Sequence, residues 1–233
     1  MTLEPLIVPR RRPLIVPRRG RGPLIRCVPT FVRECHAEPA SSATPNATFS
    51  GTQGAHNLNV VYVAWNATTG TVNSIVDTAG NAYAPMTPLT RSSSSSMQSW
   101  ICTNIKAQLS NKVTVTLSAS QTFPAIGCME FSGCDKVNPI DRVFAVHGAG
   151  MSATWRTRTA NEILVSCQYL AQTPTGFTNR FFTGVGDMSG DTKAQAAVAS
   201  VTITWTSTSA QSLGVGLGLC ITNPNDPIGF AQP

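Results

Sequence analysis

The sequence predicts an all-β protein, an antiparallel two-sheet sandwich of the jelly-roll type preceded by a disordered basic arm. Charged residues make up only 12% of the chain, about half of the usual ~25%. Short apolar runs alternate with Gly, Asn and Ser turns at regular spacing, which is the pattern of sandwich strands. No long segment keeps the 3.6-residue period of an amphipathic helix. Such charge-poor chains are typical of extracellular β-proteins rather than of cytosolic enzymes with charged helices.

The strands follow one another from residue 57 to residue 222. The segment 112–118 (KVTVTLS) alternates strictly, and residues 72–77 and 82–86 flank the turn sequence Thr78-Ala79-Gly80-Asn81, which predicts a hairpin. The predicted strands are 57–65, 72–77, 82–86, 97–105, 112–118, 125–131, 143–147, 162–170, 177–182, 194–206 and 212–222.

The N-terminal segment differs in kind from the rest of the chain. The peptide PLIVPRR occurs at 5–11 and again at 13–19, and residues 1–33 hold eight arginines, no lysine and one acid. Residues 34–233 hold nine basic and ten acidic side chains. The net charge of +6 therefore belongs to the tail, and the body is nearly neutral.

Three interpretations compete for this tail. It is a basic arm that neutralises phosphates on nucleic acid or an acidic membrane surface, a disordered spacer, or a translated DNA repeat outside the mature protein. Repeated prolines exclude regular helix and central strand, and arginines interrupt every apolar stretch before it reaches the ~7–15 residues of a signal peptide. We favour the second and third interpretations. The predicted domains are a disordered Pro/Arg-rich arm (1–45), a β-sandwich (46–222) and a C-terminal tail (223–233).

Seven cysteines leave two alternatives open. Most lie within apolar runs and are expected to be buried free thiols, or else one or two disulfides join neighbouring strands. Cys128 and Cys134 are six residues apart with no matching pair elsewhere, so the spacing of zinc ligands is absent.

Several motifs in order resemble a recurrent bacterial extracellular β-sandwich module found in secreted and cell-surface proteins. These are a strand ending in Trp-Asn at 65–66, DTAGNAY at 77–83, VTVT at 113–116, MEFSGCDKVNPIDR at 129–142, and ANEI at 160–163. The resemblance covers roughly residues 55–222 and none of the tail. It implies a sandwich fold and secretion, and it implies no particular activity. Cysteines stand where that module more often has aliphatic or small residues, which favours core thiols over disulfides.

Candidate catalytic groups are weak. The segment HGAGMS at 147–152 superficially resembles an oxyanion loop, but no nucleophile elbow follows it. A glycosidase needs two carboxyl groups about 5–10 Å apart. The candidate acids for such a pair are Glu130, Asp135, Asp141, Glu162, Asp187 and Asp191. We expect structural roles for them instead, in turns and in buried hydrogen bonds.

The best candidate metal site is the segment 187–191 (DMSGD), in which Asp187 and Asp191 offer carboxylate oxygens to Ca²⁺. The segment lacks the third and fourth acid of a strong calcium loop. A plain β-turn is the alternative. Asp77 with Asn81 is a similar but weaker candidate.

Sugar binding needs exposed aromatic faces beside polar side chains. Trp155 lies in the polar sequence SATWRTRT, flanked by Arg156 and Arg158, and is expected to be at least partly exposed. Trp65 ends a strand next to Asn66. These five residues are the predicted ligand-binding set, with packing in the core as the alternative for the tryptophans.

Taken together, the sequence favours a non-enzymatic extracellular or cell-surface module with a structural or binding role. The expected partner is a glycan or another cell-surface polymer. Two alternatives stand beside this prediction: a capsid-like jelly roll whose arm, residues 1–33, binds nucleic acid, and a polysaccharide-active hydrolase. No apolar run reaches about 18 residues, so no membrane span is predicted.

Overall fold

A computed structural model describes residues 28–170, 173–184 and 188–220, and all regular secondary structure in them is β-strand. The first half of the chain contains thirteen strands: β1 (Thr30–Ala37), β2 (Ser41–Ser42), β3 (Asn46–Thr48), β4 (Thr52–Gln53), β5 (Leu58–Trp65), β6 (Val72–Asp77), β7 (Ala84–Pro85), β8 (Thr90–Arg91), β9 (Ser96–Cys102), β10 (Gln108–Leu109), β11 (Lys112–Leu117), β12 (Gln121–Thr122) and β13 (Ala125–Ser132). The second half contains seven: β14 (Ile140–His147), β15 (Ser152–Arg156), β16 (Glu162–Tyr169), β17 (Thr178–Phe182), β18 (Met188–Gln195), β19 (Ser200–Thr204) and β20 (Leu213–Leu219). The predicted all-β antiparallel sandwich class is confirmed.

Each half is a sandwich of two antiparallel sheets. In the first half, inner sheet 1 has the order β1-β13-β5-β9-β7 with β8 also on β9, and outer sheet 1 has the order β3-β11-β6. In the second half, inner sheet 2 has the order β14-β20-β16-β18-β17, and outer sheet 2 consists of β15 and β19. Two short pairs, β10-β4 and β12-β2, complete the first half.

Three apolar clusters show how these sheets are layered. One cluster joins outer sheet 1 to inner sheet 1, the largest joins the two inner sheets, and the third joins inner sheet 2 to outer sheet 2. The molecule is therefore a stack of four layers, and both inner sheets are buried on both faces.

Strand β5 illustrates why its sequence forms an inner strand. All eight residues are buried, and successive side chains point to opposite faces of a strand. Val60 and Tyr62 lie in the cluster between the inner sheets, whereas Val61 and Val63 lie in the cluster beneath outer sheet 1. A near-continuous apolar run therefore replaces the polar alternation of a half-exposed strand.

Strand β20 (LGVGLGL) is also buried on both faces, and glycine occupies every second position. Its leucines and valine enter the central cluster, and its glycines face outer sheet 2. A side-chain carbon at Gly214 or Gly216 would lie 3.2 or 3.3 Å from the Trp205 ring. The glycines thus leave room for a tryptophan that is fully buried.

The two halves repeat one pattern of strand pairing. Strand β1 pairs with β13 as β14 pairs with β20, and both edge strands are irregular at the same point, between Phe31 and Arg33 and between Ile140 and Arg142. Both halves also place a residue with positive φ just before the central strand, His56 at 68° and Asn161 at 61°. The two halves therefore share the pairing of the inner sheets and of one outer pair, β3 with β11 and β15 with β19, which the sequence analysis did not predict.

Phe181 lies where the two halves meet. A side-chain carbon at Gly127 of inner sheet 1 would lie 2.2 Å from its ring, and one at Gly190 of inner sheet 2 would lie 2.1 Å from it. The imidazole of His36 stacks on Phe181 at 5.6 Å between ring centroids, and Arg180 lies 4.4 Å from the centre of the Phe31 ring. These contacts hold edge strand β1 against β17.

The structure corrects two expectations about the chain trace. Residues 30–45 do not belong to a disordered arm, because β1 pairs along its length with β13 and β2 pairs with β12. The prediction of a hairpin over 72–86 is also wrong, because β6 pairs with β11 whereas β7 pairs with β9 in another sheet. Residues 1–27 and 221–233, which include most of the predicted arm and the predicted C-terminal tail, lie outside the described residues.

Candidate functional site

A buried glutamate holds a loop at one end of the first half. The Glu130 side chain is fully buried, and its Oε1 accepts hydrogen bonds from the Gly54 amide at 2.9 Å and from Asn57 Nδ2 at 2.6 Å. Arg33 Nε lies 2.9 Å from Glu130 Oε2, an ion pair whose angle does not suit a hydrogen bond. Buried carboxylates are tolerated in such a setting because donors replace their lost water.

The corresponding end of the second half contains two acids. Asp141 and Glu162 are both 2% exposed, and Glu162 Oε1 accepts hydrogen bonds from the amide and the hydroxyl of Thr159 at 2.9 and 3.0 Å. Arg158 Nε lies 2.8 Å from Asp141 Oδ1, and the Arg158 amide donates to Asp141 Oδ2 at 3.1 Å. The structure therefore brings two of the predicted carboxyl candidates together.

The electrostatics of this acid pair follow from its burial. Burial raises the pKa of Asp141, although the amide and guanidinium of Arg158 oppose the shift. Burial also raises the pKa of Glu162, and the neighbouring Asp141 charge raises it further. Glu162 Oε2 accepts no hydrogen bond from the described residues, and a proton on one carboxyl would allow the two acids to hydrogen-bond to each other.

Both ends use the acid in the same way. Gly54 and Thr159 each lie two residues before the positive-φ residue of their half, and each donates its amide to the buried glutamate. These acids hold the loop that leads into the central strand. Both carboxyls of the pair are shielded from solvent, so a polymeric substrate does not reach them in this structure.

Trp155 is not the exposed platform that the sequence predicted. It is 6% exposed, alternates with outward-facing neighbours on β15, and packs 5.3 Å from Phe144 between ring centroids. The expectation failed because the polar sequence around it is the period-two alternation of an outer strand. Arg156 is exposed on the outer face, and Arg158 is committed to Asp141.

Trp65 is likewise unavailable to a ligand. It is fully buried beneath outer sheet 1, and its Nε1 donates to the Thr69 carbonyl at 2.8 Å. Asn66 is exposed, and its backbone amide donates to the Thr122 carbonyl at 3.0 Å. The exposed aromatic faces that sugar stacking needs are therefore absent at Trp65 and Trp155, and core packing, the alternative for both, is what the structure shows.

The predicted calcium site is only partly within the described residues, because Asp187 lies outside them. Asp191 is fully buried and accepts hydrogen bonds from Gln168 Nε2 at 2.6 Å, Thr173 Oγ1 at 3.0 Å and Asn179 Nδ2 at 3.0 Å. Burial raises the pKa of Asp191, and these donors oppose the shift. Within the described ranges, no cluster of three or more His, Cys, Asp or Glu side chains has the arrangement of a metal site.

The weaker candidate, Asp77 with Asn81, forms a hydrogen-bonded corner. Asp77 Oδ2 accepts from Asn81 Nδ2, Tyr83 Oη and Asn111 Nδ2 at 2.8–2.9 Å. Burial acts to raise the pKa of Asp77, but the donors outweigh it and lower that pKa overall. The DTAGNAY motif is therefore the corner at which the chain crosses from outer sheet 1 to inner sheet 1.

The outer face of outer sheet 2 is a row of hydroxyl groups, and sequence reasoning missed it. Three cross-strand pairs point outward, namely Ser152 with Thr204, Thr154 with Thr202, and Arg156 with Ser200. The hydroxyls of Thr154 and Thr202 lie 2.8 Å apart. The alternation of polar and apolar residues in SATWR and SVTIT indicates two half-exposed strands. The sequence analysis did not identify the first of these segments as a strand.

Comparisons with known proteins returned no matching family model, no matching curated protein and no matching solved structure. The resemblance to a recurrent extracellular module therefore stays a prediction. In the described part of the chain, no helix is long and apolar enough to cross a membrane.

Proposed function

We propose that this protein is a structural and binding module that presents the outer face of outer sheet 2 to a hydroxyl-rich polymer, either a glycan or another cell-surface polymer. The observation that supports this most is the set of three outward-facing pairs on β15 and β19, which form a row of hydroxyl groups ending at Arg156. Hydroxyls both donate and accept hydrogen bonds, as sugar hydroxyls do.

The chemistry of this face suits a polar ligand. Arg156 is exposed and forms no ion pair within the described residues, so its guanidinium is available to a carboxylate or a hydroxyl of the polymer. The face contains no exposed aromatic ring. Recognition would therefore depend on hydrogen bonds rather than on stacking.

The buried acids support a non-enzymatic role. Glu130, Asp141 and Glu162 are each used to hold loops, and each is shielded from solvent. A rigid stack with a polar outer face is what a spacer or an adhesive module needs. The extracellular or cell-surface location expected from the sequence belongs to the same proposal.

Pull-down on insoluble polysaccharides and a glycan array test the proposal. The variant Arg156→Ala with Thr202→Val is expected to weaken binding about tenfold or more, because two hydrogen-bonding groups are lost. The matched control is Thr48→Val with Thr114→Val on the outer face of outer sheet 1. That variant should bind like the wild type.

Both variants should melt within about 2 °C of the wild type, since all four side chains lie on outer faces. The proposal fails if the wild-type protein binds no polymer on the array. It also fails if binding survives the change on outer sheet 2 or is lost equally in the control. The nucleic-acid alternative depends on residues 1–33, most of which lie outside the described residues, and it stays a prediction.

A further inference from the structure

Two cysteines lie directly opposite each other on neighbouring strands. Cys35 on edge strand β1 is paired in register with Cys128 on β13. Both side chains belong to the cluster beneath outer sheet 1, so they point to the same face of inner sheet 1. Both thiols are free in this structure, and burial and the neighbouring Cys35 both raise the pKa of the Cys128 thiol.

This placement satisfies the geometry of a disulfide. Directly opposed residues of an antiparallel pair have Cα atoms about 4.5 or about 5.5 Å apart, depending on the type of pair. Disulfides span Cα separations of about 4.4–6.8 Å. The Cα separation of either type of pair therefore falls within the range that a disulfide spans.

Cys134 and Cys220 interact with each other outside paired strand positions, whereas Cys167 and Cys102 differ from this pair. Cys167 lies opposite Gly190 on one side and Val215 on the other, and Cys102 lies opposite Asn59. Neither has a cysteine partner in register. Cys167 is as deeply buried as Cys128, so it is the matched control.

We propose that Cys35 and Cys128 form a cross-strand disulfide that fastens edge strand β1 to β13, the next strand of inner sheet 1. The oxidant is a low-molecular-weight disulfide such as oxidised glutathione. One cysteine thiolate attacks it, forming a mixed disulfide and releasing one small thiol. The second cysteine then attacks the mixed disulfide and releases the second small thiol, so two protein thiols are oxidised and one small disulfide is reduced.

The bond has a defined mechanical consequence. Strand β1 is an edge strand whose only partner in the sheet, among the described residues, is β13. The disulfide closes a loop of about 90 residues, and cross-links that close long loops restrict the unfolded chain most. Detachment of β1 from β13 would then be prevented.

Burial sets when the exchange takes place. It raises the pKa of the Cys128 thiol well above its ordinary value, so the reactive thiolate is disfavoured in the folded protein. Exchange therefore proceeds during folding, or when β1 separates from β13. Once formed, the bond is protected from small reductants by the same burial.

The experiment uses the full chain, unfolded with reductant and refolded in a glutathione redox buffer. Free thiols are blocked with N-ethylmaleimide, and non-reduced peptides are identified by mass spectrometry. The expected result is a linked peptide pair containing Cys35 and Cys128. Recovery of both residues as alkylated thiols from the folded wild-type protein overturns the proposal.

Thermal unfolding gives a second readout. Reductant present during refolding should lower the melting temperature of the wild type by about 5–15 °C. It should lower that of Cys167→Ser by the same amount and leave that of Cys35→Ser unchanged. Equal sensitivity to reductant in Cys35→Ser and the wild type contradicts the proposal even if the variant is itself less stable.

Discussion

Each half of the molecule has an equivalent loop that is held by a buried acid, but the acids come from different strands. In the first half the acid is Glu130 on β13, and Asn57 donates to it. In the second half the acid is Glu162 at the start of β16, and Gly218 of β20 stands where the first half has Glu130. A side-chain carbon at Gly218 would lie 3.1 Å from Glu162 Oε2.

This difference shows what the fold requires at that point. Both halves contain a loop amide that donates to a buried glutamate, Gly54 in the first half and Thr159 in the second. The strand that provides the glutamate differs between the halves. A buried amide without a partner is costly, whereas the position of its acceptor in the sequence is free to vary. Equivalent residues therefore need not look alike in sequence.

The two ends also differ in charge. Glu130 pairs with Arg33, whereas Glu162 shares its site with Asp141, which pairs with Arg158. One end is a simple ion pair, and the other holds two acids that favour retaining a proton.

The largest effect is expected from Glu130→Ala. The change removes the acceptor of the Gly54 amide and leaves Arg33, whose side chain is 28% exposed, without its partner. We expect the free energy of unfolding to fall by about 2–4 kcal/mol, measured by urea denaturation. Amide hydrogen exchange at Gly54 should accelerate in the same variant. A loss below about 1 kcal/mol with Gly54 still protected would show that this acid does not hold the loop.

Gly127→Ala tests whether the halves form one unit. The added methyl on inner sheet 1 would overlap the ring of Phe181, which lies on β17 of the other half and is confined from the opposite side by Gly190. Overpacking of this kind costs about 1–3 kcal/mol. The matched control is Gly184→Ala, where nothing lies within 4 Å. Equal melting temperatures for the two variants would mean that the inner sheets separate at no cost.

Arg158→Ala should have the smallest effect. Its side chain is 46% exposed, and the Arg158 amide still donates to Asp141 after the change. We expect a loss of at most about 1 kcal/mol. Arg33→Ala is the comparison, and it should cost more because the fully buried Glu130 loses its cation. The reverse order of the two losses would contradict the assignment of roles.

The sequence predicted the fold class and most strands of the body because period-two alternation survives in the outer strands and continuous apolar runs mark the inner ones. It did not predict the duplication, although KVTVTL and SVTITW are equivalent in pairing. The repeated feature is strand pairing, which depends on burial rather than on identity.

The candidate site was predicted less well. Trp155 and Trp65 were selected for their polar neighbours, but alternation along a strand places a buried tryptophan next to an exposed arginine. The pairing of Asp141 with Glu162 spans 21 residues and depends on the register of β14, β20 and β16. A single sequence contains no local signal for such a contact.

The second half holds two acids, Asp141 and Glu162, whose pKa values are raised so that they favour retaining a proton. The first half holds the ion pair of Glu130 and Arg33 at the equivalent place. Because the folded pKa of Glu162 is raised, its protonated form stabilises the fold below the ordinary pKa of 4.5, and this contribution is lost as pH rises through the folded pKa. The free energy of unfolding of the wild type minus that of Glu162→Gln should therefore fall as pH rises above about 4.5, by about 1.4 kcal/mol per unit of pKa difference. A difference that is flat or rises with pH over this range would contradict the account.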